Sequence, residues 1–535
     1  MGIRSLRSSQ LQHLPVKSPV LSIVPSLAEF SMGAQPKPRR SRLLSLTTEL
    51  LLLILDNSHT STLLALSRTS RRLHYLALPV YLSRHGIQDP ASRKLVLENH
   101  AVQALPGLHT SLFFTSLDHL SYKFRGIHPQ FTREVNQLLR FVTRLTQVDK
   151  VILDLGNIDS RSVDGLAIAS SNLWKQDFIQ LLTVILRRRC TSLTVTHGRF
   201  LNPRLPSLSS SRSPSTLIDD SISVIRKLLL GPSPHGSPAS HEKVLQPISN
   251  ADVLRELCVD ADILLSYPFY DWTMMTINAN PVTSLSLRIH GLHPAAWTTI
   301  LTCISIPTLT HFSPETTDIT FANLLKFFSR HPSIVDIGLH PYINHSDSGR
   351  RPKPRNPKER LLPNLASLSG NSGNIMTLLN HLRPAPQLRS ISLSLSVRQR
   401  VFQTSDFENL NREIGMVIQD TRPVTLSLRF LVRFISDEHF GNTSKQEHHL
   451  HSFDSVQILN LSTDGHFDFT RWITPVLLHW LSSAFPALHR ISFAGDCVPV
   501  EPECCTAFIH TIQQVYQGVE VVIVAEEDGE FQRLI

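Results

Sequence analysis

Apolar residues recur along this chain with two periods, and the order in which the periods alternate predicts its architecture. Between residues 43 and 56 the period is helical: Leu46, Leu50 and Ile54 fall every four positions, with Leu51 and Leu55 widening the stripe. Glu49 falls in the first turn, where free backbone N–H groups favour a carboxylate. The following segment, DNSHTST, has short polar side chains that compete for backbone hydrogen bonds and end the helix. Thr60 or Ser61 then caps a second helix whose face carries Leu63, Leu66, Ser70, Leu73 and Leu76 or Ala77. Pro79 ends or kinks it. Arg68, Arg71 and Arg72 lie off that face, toward a C-terminal half where the helix dipole favours cations. Neither helix is long enough to be stable alone, and the first presents more leucine than a two-helix corner hides.

Residues 83 to 130 have mixed periodicity and either bridge to the next region or begin it. From FTREVNQLLRFVTRLT at 131–146 the chain settles into a repeating order, a helical run followed directly by a short alternating one. Val151, Leu153 and Leu155 alternate as in a half-buried strand. The later strands share a finer pattern of apolar, two residues, apolar, one residue, apolar. It is carried by Val282, Leu285 and Leu287, by Ile334, Ile337 and Leu339, and by Leu388, Ile391 and Leu393. It returns in Val456, Leu459 and Leu461, in Leu488, Ile491 and Phe493, and in Val519, Val522 and Val524. The last three of these begin 32 and 31 residues apart, a step that favours a stacked array over an ordinary open α/β sheet. No glycine-rich first turn supports a Rossmann domain.

Composition narrows the class. At 535 residues the chain exceeds one ordinary core and is expected to be multi-domain or a repeat array. Hydrophobic residues make up 41% and charged residues 18%, which predicts a globular chain with a weakly charged surface. The net charge of +9 is scattered apart from Lys37 to Arg42 and Arg187 to Arg189, and no aromatic-interleaved basic stripe points to nucleic acid. Six sparse cysteines argue for a reducing compartment, and their spacing makes no zinc site. No apolar run reaches membrane-spanning length, and the N-terminus lacks the apolar core of a secretory signal.

The chemistry-bearing motifs are missing as well. The sequence contains no GxxxxGK, HExxH or GxSxG element. His448, His449 and His451, with His466 nearby, read as a polar loop rather than metal ligands. Asp154 and Asp177 offer carboxylates without a defined partner. Trp174, Trp297, Trp472 and Trp480 lie in the helix–strand pattern and are expected in the core. No catalytic residue, cofactor or metal site is assigned.

The stretch from 43 to 82 resembles an F-box, and LALSRTSRRLHYLALPVYL is similar to the variant in fungal F-box proteins. The family's opening Leu-Pro-x-Glu-Leu-Leu is matched at Leu46, Glu49, Leu50 and Leu51, with Thr47 where proline is usual. Its second-helix hydrophobes fall on Leu63, Leu66 and Leu73, and Ser70 takes the small position before the basic pair. The downstream strands resemble irregular leucine-rich repeats. His290, Asp464, Asp496 and Glu527 stand where that family prefers asparagine, so no regular asparagine ladder is expected.

The expected fold class is therefore α/β, a short helical F-box-like unit followed by an irregular leucine-rich-repeat-like solenoid with a parallel sheet. Residues 1–41 form a disordered leader, 42–85 the helical domain, and 86–150 a helical linker or the start of the solenoid. The recognition domain occupies 151–535, with insertions near 201–250 and 343–360. The resemblance implies docking onto a Skp-type linker and, through it, a cullin ubiquitin ligase of the cytoplasm or nucleus. Leu46, Leu50, Leu51, Ile54, Leu63 and Leu66 are the expected linker-binding residues. Outward residues between the strand hydrophobes are candidates for target binding: Arg288 with Ser286, Asp336, Ser392, Ser394, Asn460, Ser462 and Ser492. The alternative is a solenoid interaction scaffold with no ligase role, whose helical start only caps the array. A third reading, an enzyme with an unrecognised α/β site, would need a deep polar pocket with perturbed carboxylates or histidines.

Overall fold

A computed structural model describes residues 42–89, 92–98, 101–125, 130–156, 171–198, 253–266, 268–289, 292–315, 319–339, 361–382, 387–395, 424–430, 452–466, 481–496, 502–527 and 530–533. The leader at 1–41, both predicted insertions, the cluster from His448 to His451, and Trp472 and Trp480 lie outside the described residues. The chain divides into two compact units, Met1–Ile54 and Leu55–Ile535.

In the first unit a 3-10 turn, Arg42–Ser45, leads into helix α1, Thr48–Asp56. The Thr47 carbonyl accepts from the Leu51 N–H at 3.1 Å, which gives Thr47 the N-cap place. Glu49 occupies the first turn, as its charge prefers.

The second unit opens with helices α2, Thr60–Ser67, and α3, Arg71–Arg84. The sequence suggested one helix here, but there are two. Ser70 is not on a helix face: its side chain accepts from the Leu73 N–H at 3.2 Å and caps α3. Arg71 and Arg72 consequently lie in the first turn of α3, the end of the dipole that disfavours cations. Neither Thr60 nor Ser61 caps α2, whose N-cap is His59 with no side-chain bond. Pro79 sits inside α3, which continues past it to Arg84. Buried His74 joins this region together, meeting the Ser67 carbonyl through Nδ1 at 3.0 Å and accepting from the Leu112 N–H at Nε2 at 3.1 Å.

After α3 the described residues build one sheet of fifteen strands whose spatial order is their chain order. The first strands are β1, Lys94–Leu97; β2, Ser116–Lys123; β3, Gln147–Asp154; β4, Ser192–Thr196; and β5, Glu256–Asp260. Next come β6, Ser284–Leu287; β7, His311–Pro314; β8, Asp336–Leu339; β9, Ser367–Asn371; and β10, Ser390–Leu395. The last are β11, Val424–Phe430; β12, Val456–His466; β13, Arg490–Asp496; β14, Glu520–Glu527; and β15, Glu530–Arg533. Successive strands from β1 to β14 pair in parallel, and β15 turns back antiparallel to β14. A doubly wound sheet reverses its strand order part-way. This one never does, so the architecture is an α/β solenoid of the leucine-rich-repeat kind, preceded by helices. The region between α3 and residue 150, which periodicity left open, already contains β1, β2 and the first half of β3, with helices α4, Ala101–Thr110, and α5, Gln130–Arg144, between them.

The apolar pattern reads directly as the interior. Leu285 and Leu287, Ile337 and Leu339, Ile391 and Leu393, Leu459 and Leu461, and Ile491 and Phe493 are buried, together with Trp174, Trp272 and Trp297. They join helix residues such as Phe178, Phe327 and Phe328 in one contiguous core from Leu55 to Val521. Each fully buried leucine contributes about 1.5–3 kcal/mol by leaving water. The final strand departs from the expected pattern by one residue. Ile491 stands opposite Val521 and Phe493 opposite Ile523, so the register aligns Val521 and Ile523 with the inward row, while Val522, expected to be interior, is buried as well. A strand flanked by valine at nearly every position carries no polar marker of its face.

Two devices hold successive coils in step. First, the residue just before many strands offers a carbonyl that accepts two adjacent N–H groups of the next coil. The carbonyls of Thr191, Arg255, Thr283, Thr310, Val335 and Ala366 all do this, at 2.8–3.0 Å. Second, arginines near helix C-termini donate to carbonyls at the end of an earlier helix, groups that otherwise lack partners. Arg84 donates to Leu55, Asp56 and Ser58, Arg144 to Ser111 at 2.9 Å, and Arg188 to Thr143. Arg330 of helix Phe321–Arg330 donates to Leu301, to Thr302 at 3.0 Å and to Ile304 at 3.2 Å, around the end of helix Pro294–Cys303.

Candidate functional site

Helix α1 is apolar on more than one side. Leu51 and Leu55 are buried, whereas Leu50 is 49%, Leu53 62% and Ile54 43% exposed, and Leu52 is exposed on a further side. At 100° per residue, Leu50, Leu53 and Ile54 fall within one narrow arc of the helix surface. An exposed aliphatic arc of this density on a short helix is the mark of a docking face. The six leucine and isoleucine positions expected to bind a linker therefore separate. Leu50 and Ile54 are exposed, Leu46 and Leu66 are half-buried, and Leu51 and Leu63 are interior. Leu51 and Leu63 are corrected to packing residues. Leu52 and Leu53 were missed because a four-residue stripe selects one face of a helix that has two.

The open face of the sheet is the second surface. Strand residues alternate between the core and this face, so equivalent positions line up across the strands. Ser286, Ser313, Gly338, Ser369, Ser392, Ser427, Asn460 and Ser492 stand in register on consecutive strands β6 to β13. Serine fills six of these places and nothing in the row is charged. Asn460 Nδ2 donates to Ser427 Oγ at 3.0 Å, and Ser369 Oγ donates to the Ile337 carbonyl at 3.4 Å. A Cβ on Gly338 would lie 2.8 Å from Ser313 Oγ and 3.4 Å from Ser369 Oγ, so the glycine relieves crowding between two hydroxyls.

The flanking rows carry the remaining candidates. Ser394, Arg429 and Ser462 are in register two residues farther along the strands, and Asp336 lies beside His311 two residues before. Arg288 is paired with Glu315 at 3.0 Å. Ser286, Asp336, Ser392, Ser394, Asn460, Ser462 and Ser492 thus share one face with Arg288, arranged in three rows. Ser313, Ser369 and Ser427 belong to the same surface and went unread, because the shared apolar pattern did not single out β7, β9 or β11. Cys258 precedes Ser286 in the central row; burial pushes its thiol up, against the pull of Arg288.

Neither carboxylate singled out by sequence is without a partner. Asp154 accepts from the Gly156 N–H at 2.7 Å, meets His197 Nδ1 at 2.7 Å and Lys123 Nζ at 3.8 Å. Asp177 Oδ2 accepts from Asn136 Nδ2 at 2.8 Å. Among the described residues no group of His, Cys, Asp and Glu could hold a metal ion. Glu134, on α5 inside the core, is a fully buried carboxyl. Its Oε2 accepts from the Arg125 N–H at 3.2 Å, while Oε1 and the neighbouring Tyr122 hydroxyl make no hydrogen bond of good geometry. Burial raises the Glu134 carboxyl above its ordinary range, against the Arg125 N–H and the Arg125 charge. Among the described residues no helix is long and apolar enough to cross a membrane.

No protein-family model and no curated protein matches the chain. Among solved structures, the crystal structure of the Rad7 and Elc1 complex in yeast aligns over 85% of this chain and 91% of that one, with 12% identity and a TM-score of 0.33.

Proposed function

We propose that this chain is a non-catalytic substrate-recognition adaptor of an SCF-type cullin–RING ubiquitin ligase, working in the cytoplasm or nucleus. The exposed Leu50–Leu53–Ile54 arc of α1 carries the reading. It coincides with the Leu46, Glu49, Leu50, Leu51 elements of the F-box resemblance, and burying the exposed half of three such side chains against a Skp-type linker would supply about 1 kcal/mol each. The open face of the solenoid would hold the target protein. The chemistry would be done elsewhere: a separate enzyme transfers ubiquitin, and the adaptor raises the local concentration of its target. The serine row suits this role, since it presents hydroxyl donors and acceptors to a partner backbone without demanding a charge partner.

The test is co-purification of the full-length chain with a Skp-type linker. Wild type is expected to bind stoichiometrically. Leu53→Asp and Leu50→Asp are expected to lose the linker while keeping circular dichroism and thermal unfolding unchanged, because both side chains are already in water. A folded wild-type chain that captures no linker would leave a solenoid binding protein with no ligase role.

A further inference from the structure

At the β1 end, the open face changes character. Lys94, His119 and Lys150 are direct cross-strand neighbours on β1, β2 and β3. Like charges in register repel, and parallel strands fix them there. Among the described residues, no carboxylate lies within ion-pair distance of Lys94 or Lys150. The nearby acids have other partners: Asp118 pairs with Arg93 at 3.8 Å, and Asp149 accepts from Gln147 at 2.6 Å. His119 Nε2 is buried and makes no hydrogen bond. Burial, then Lys150 and Lys94, hold its imidazole below the usual protonation range, so the three groups sense one another.

The next row on the same strands is Val96, Ser121 and Ile152, of which Val96 is 50% exposed. Cationic groups therefore border an aliphatic strip. We propose that this end of the sheet binds an acidic segment of a partner polypeptide, with carboxylates at Lys94 and Lys150 and an aliphatic side chain over Val96 and Ile152. Neighbouring strands are about 4.8 Å apart, so the two lysines are separated by about 10 Å, close to the rise of three residues of a polyproline II segment, whose every third side chain falls on the same face. The complementary segment has acidic residues three positions apart with an aliphatic residue between them. Nucleic acid fits less well, because this row offers aliphatic and hydroxyl groups and no aromatic ring for base stacking. The proposal rests on reading the open face as the recognition surface, and it is independent of linker docking by α1.

The experiment measures fluorescence anisotropy of a short labelled repeat of Glu-Leu-Ser with the full-length protein. Repeats of Gln-Leu-Ser and a single-stranded RNA serve as comparisons. Wild type is expected to bind the acidic peptide and not the glutamine one, more weakly as salt rises. K94Q/K150Q is expected to weaken binding about fivefold, as two exposed ion pairs would, and K94E/K150E more. K175E/K326E, an equal charge change on helices, and Leu53→Asp are expected to leave it unchanged. The glutamine pair keeps the test informative if the charge-reversed protein does not fold. No peptide binding by wild type, equal loss in K175E/K326E, insensitivity to K94Q/K150Q, or tighter binding of RNA through the same lysines would each overturn the proposal.

Discussion

Replacing Arg330 by methionine tests how the coils are fastened. The guanidinium donates to the carbonyls of Leu301, Thr302 and Ile304, and its stem lies near the Phe327 ring, with the charge 5.9 Å from the ring centroid. Methionine keeps the stem and removes every donor. Hydrogen bonds from a charged donor are each worth about 1.5–3 kcal/mol, but they are not additive. Arg330 is also partly exposed, so water replaces some of what is lost. The expected cost is about 2–3 kcal/mol in urea unfolding of the full chain. Amide exchange should localise the effect: protection falls at the end of helix Pro294–Cys303 and at Ile304 to Ile306, and stays unchanged in β13. Arg330→Lys should fall between wild type and methionine, because an ammonium cannot reach three carbonyls in a fork. A cost under about 0.5 kcal/mol, or loss of protection spread evenly over the sheet, would refute the fastening role.

Three further substitutions probe other parts. Glu134→Gln should change the pH dependence of stability: the wild-type carboxyl is raised in the folded state, so its contribution is full below the ordinary carboxylate pKa and lost as pH rises through the folded value. The variant should melt higher than wild type at pH 8 and show a flatter thermal-stability profile from pH 4 to 8; an identical profile would contradict the assignment. Gly370→Ala should unfold the β8–β9 region, since φ is +146° and a Cβ would sit 1.8 Å from the Leu339 carbonyl oxygen. A soluble alanine variant with unchanged melting would show that this backbone shifts freely. Leu63→Asp should disrupt the helical region by burying a charge at a site with no exposure, in contrast to Leu53→Asp, and circular dichroism separates the two.

The repeating strand pattern was legible because burial imposes it. At Leu285, Ile337, Ile391, Leu459 and Ile491 the apolar positions of the sequence are the interior ones of the sheet. Strands were missed where few residues carry the signal. In β7, HFSP, the apolar positions are Phe312 and a proline, and in β9, SLSGN, one of the inward places is Gly370. The start of the sheet was obscured by LHTSLFFTSLDHL, whose extra aromatic residues Phe113 and Phe114 pack with each other, Phe114 also meeting Phe141. Helix α1 was half legible. Periodicity identified α1, but a run of consecutive leucines cannot say which of them face inward: Leu51, expected outside, is buried, and Leu53, which the stripe passed over, is exposed. The basic group at Lys94, His119 and Lys150 comes from three separate stretches of chain and exists only once the strands are in register.

The shared carbonyl at the start of many strands has a consequence for how such a chain can diversify. Thr191 holds the amides of both Arg255 and Glu256, so β4 and β5 align residue by residue although dozens of residues separate them. The fastening point precedes the strand, and what the chain does in between does not reset the register. Lengthening a connection costs only about 0.6 kcal/mol for each doubling. New sequence can therefore be inserted between coils, tried as a binding element and lost again, while the sheet on either side stays in place.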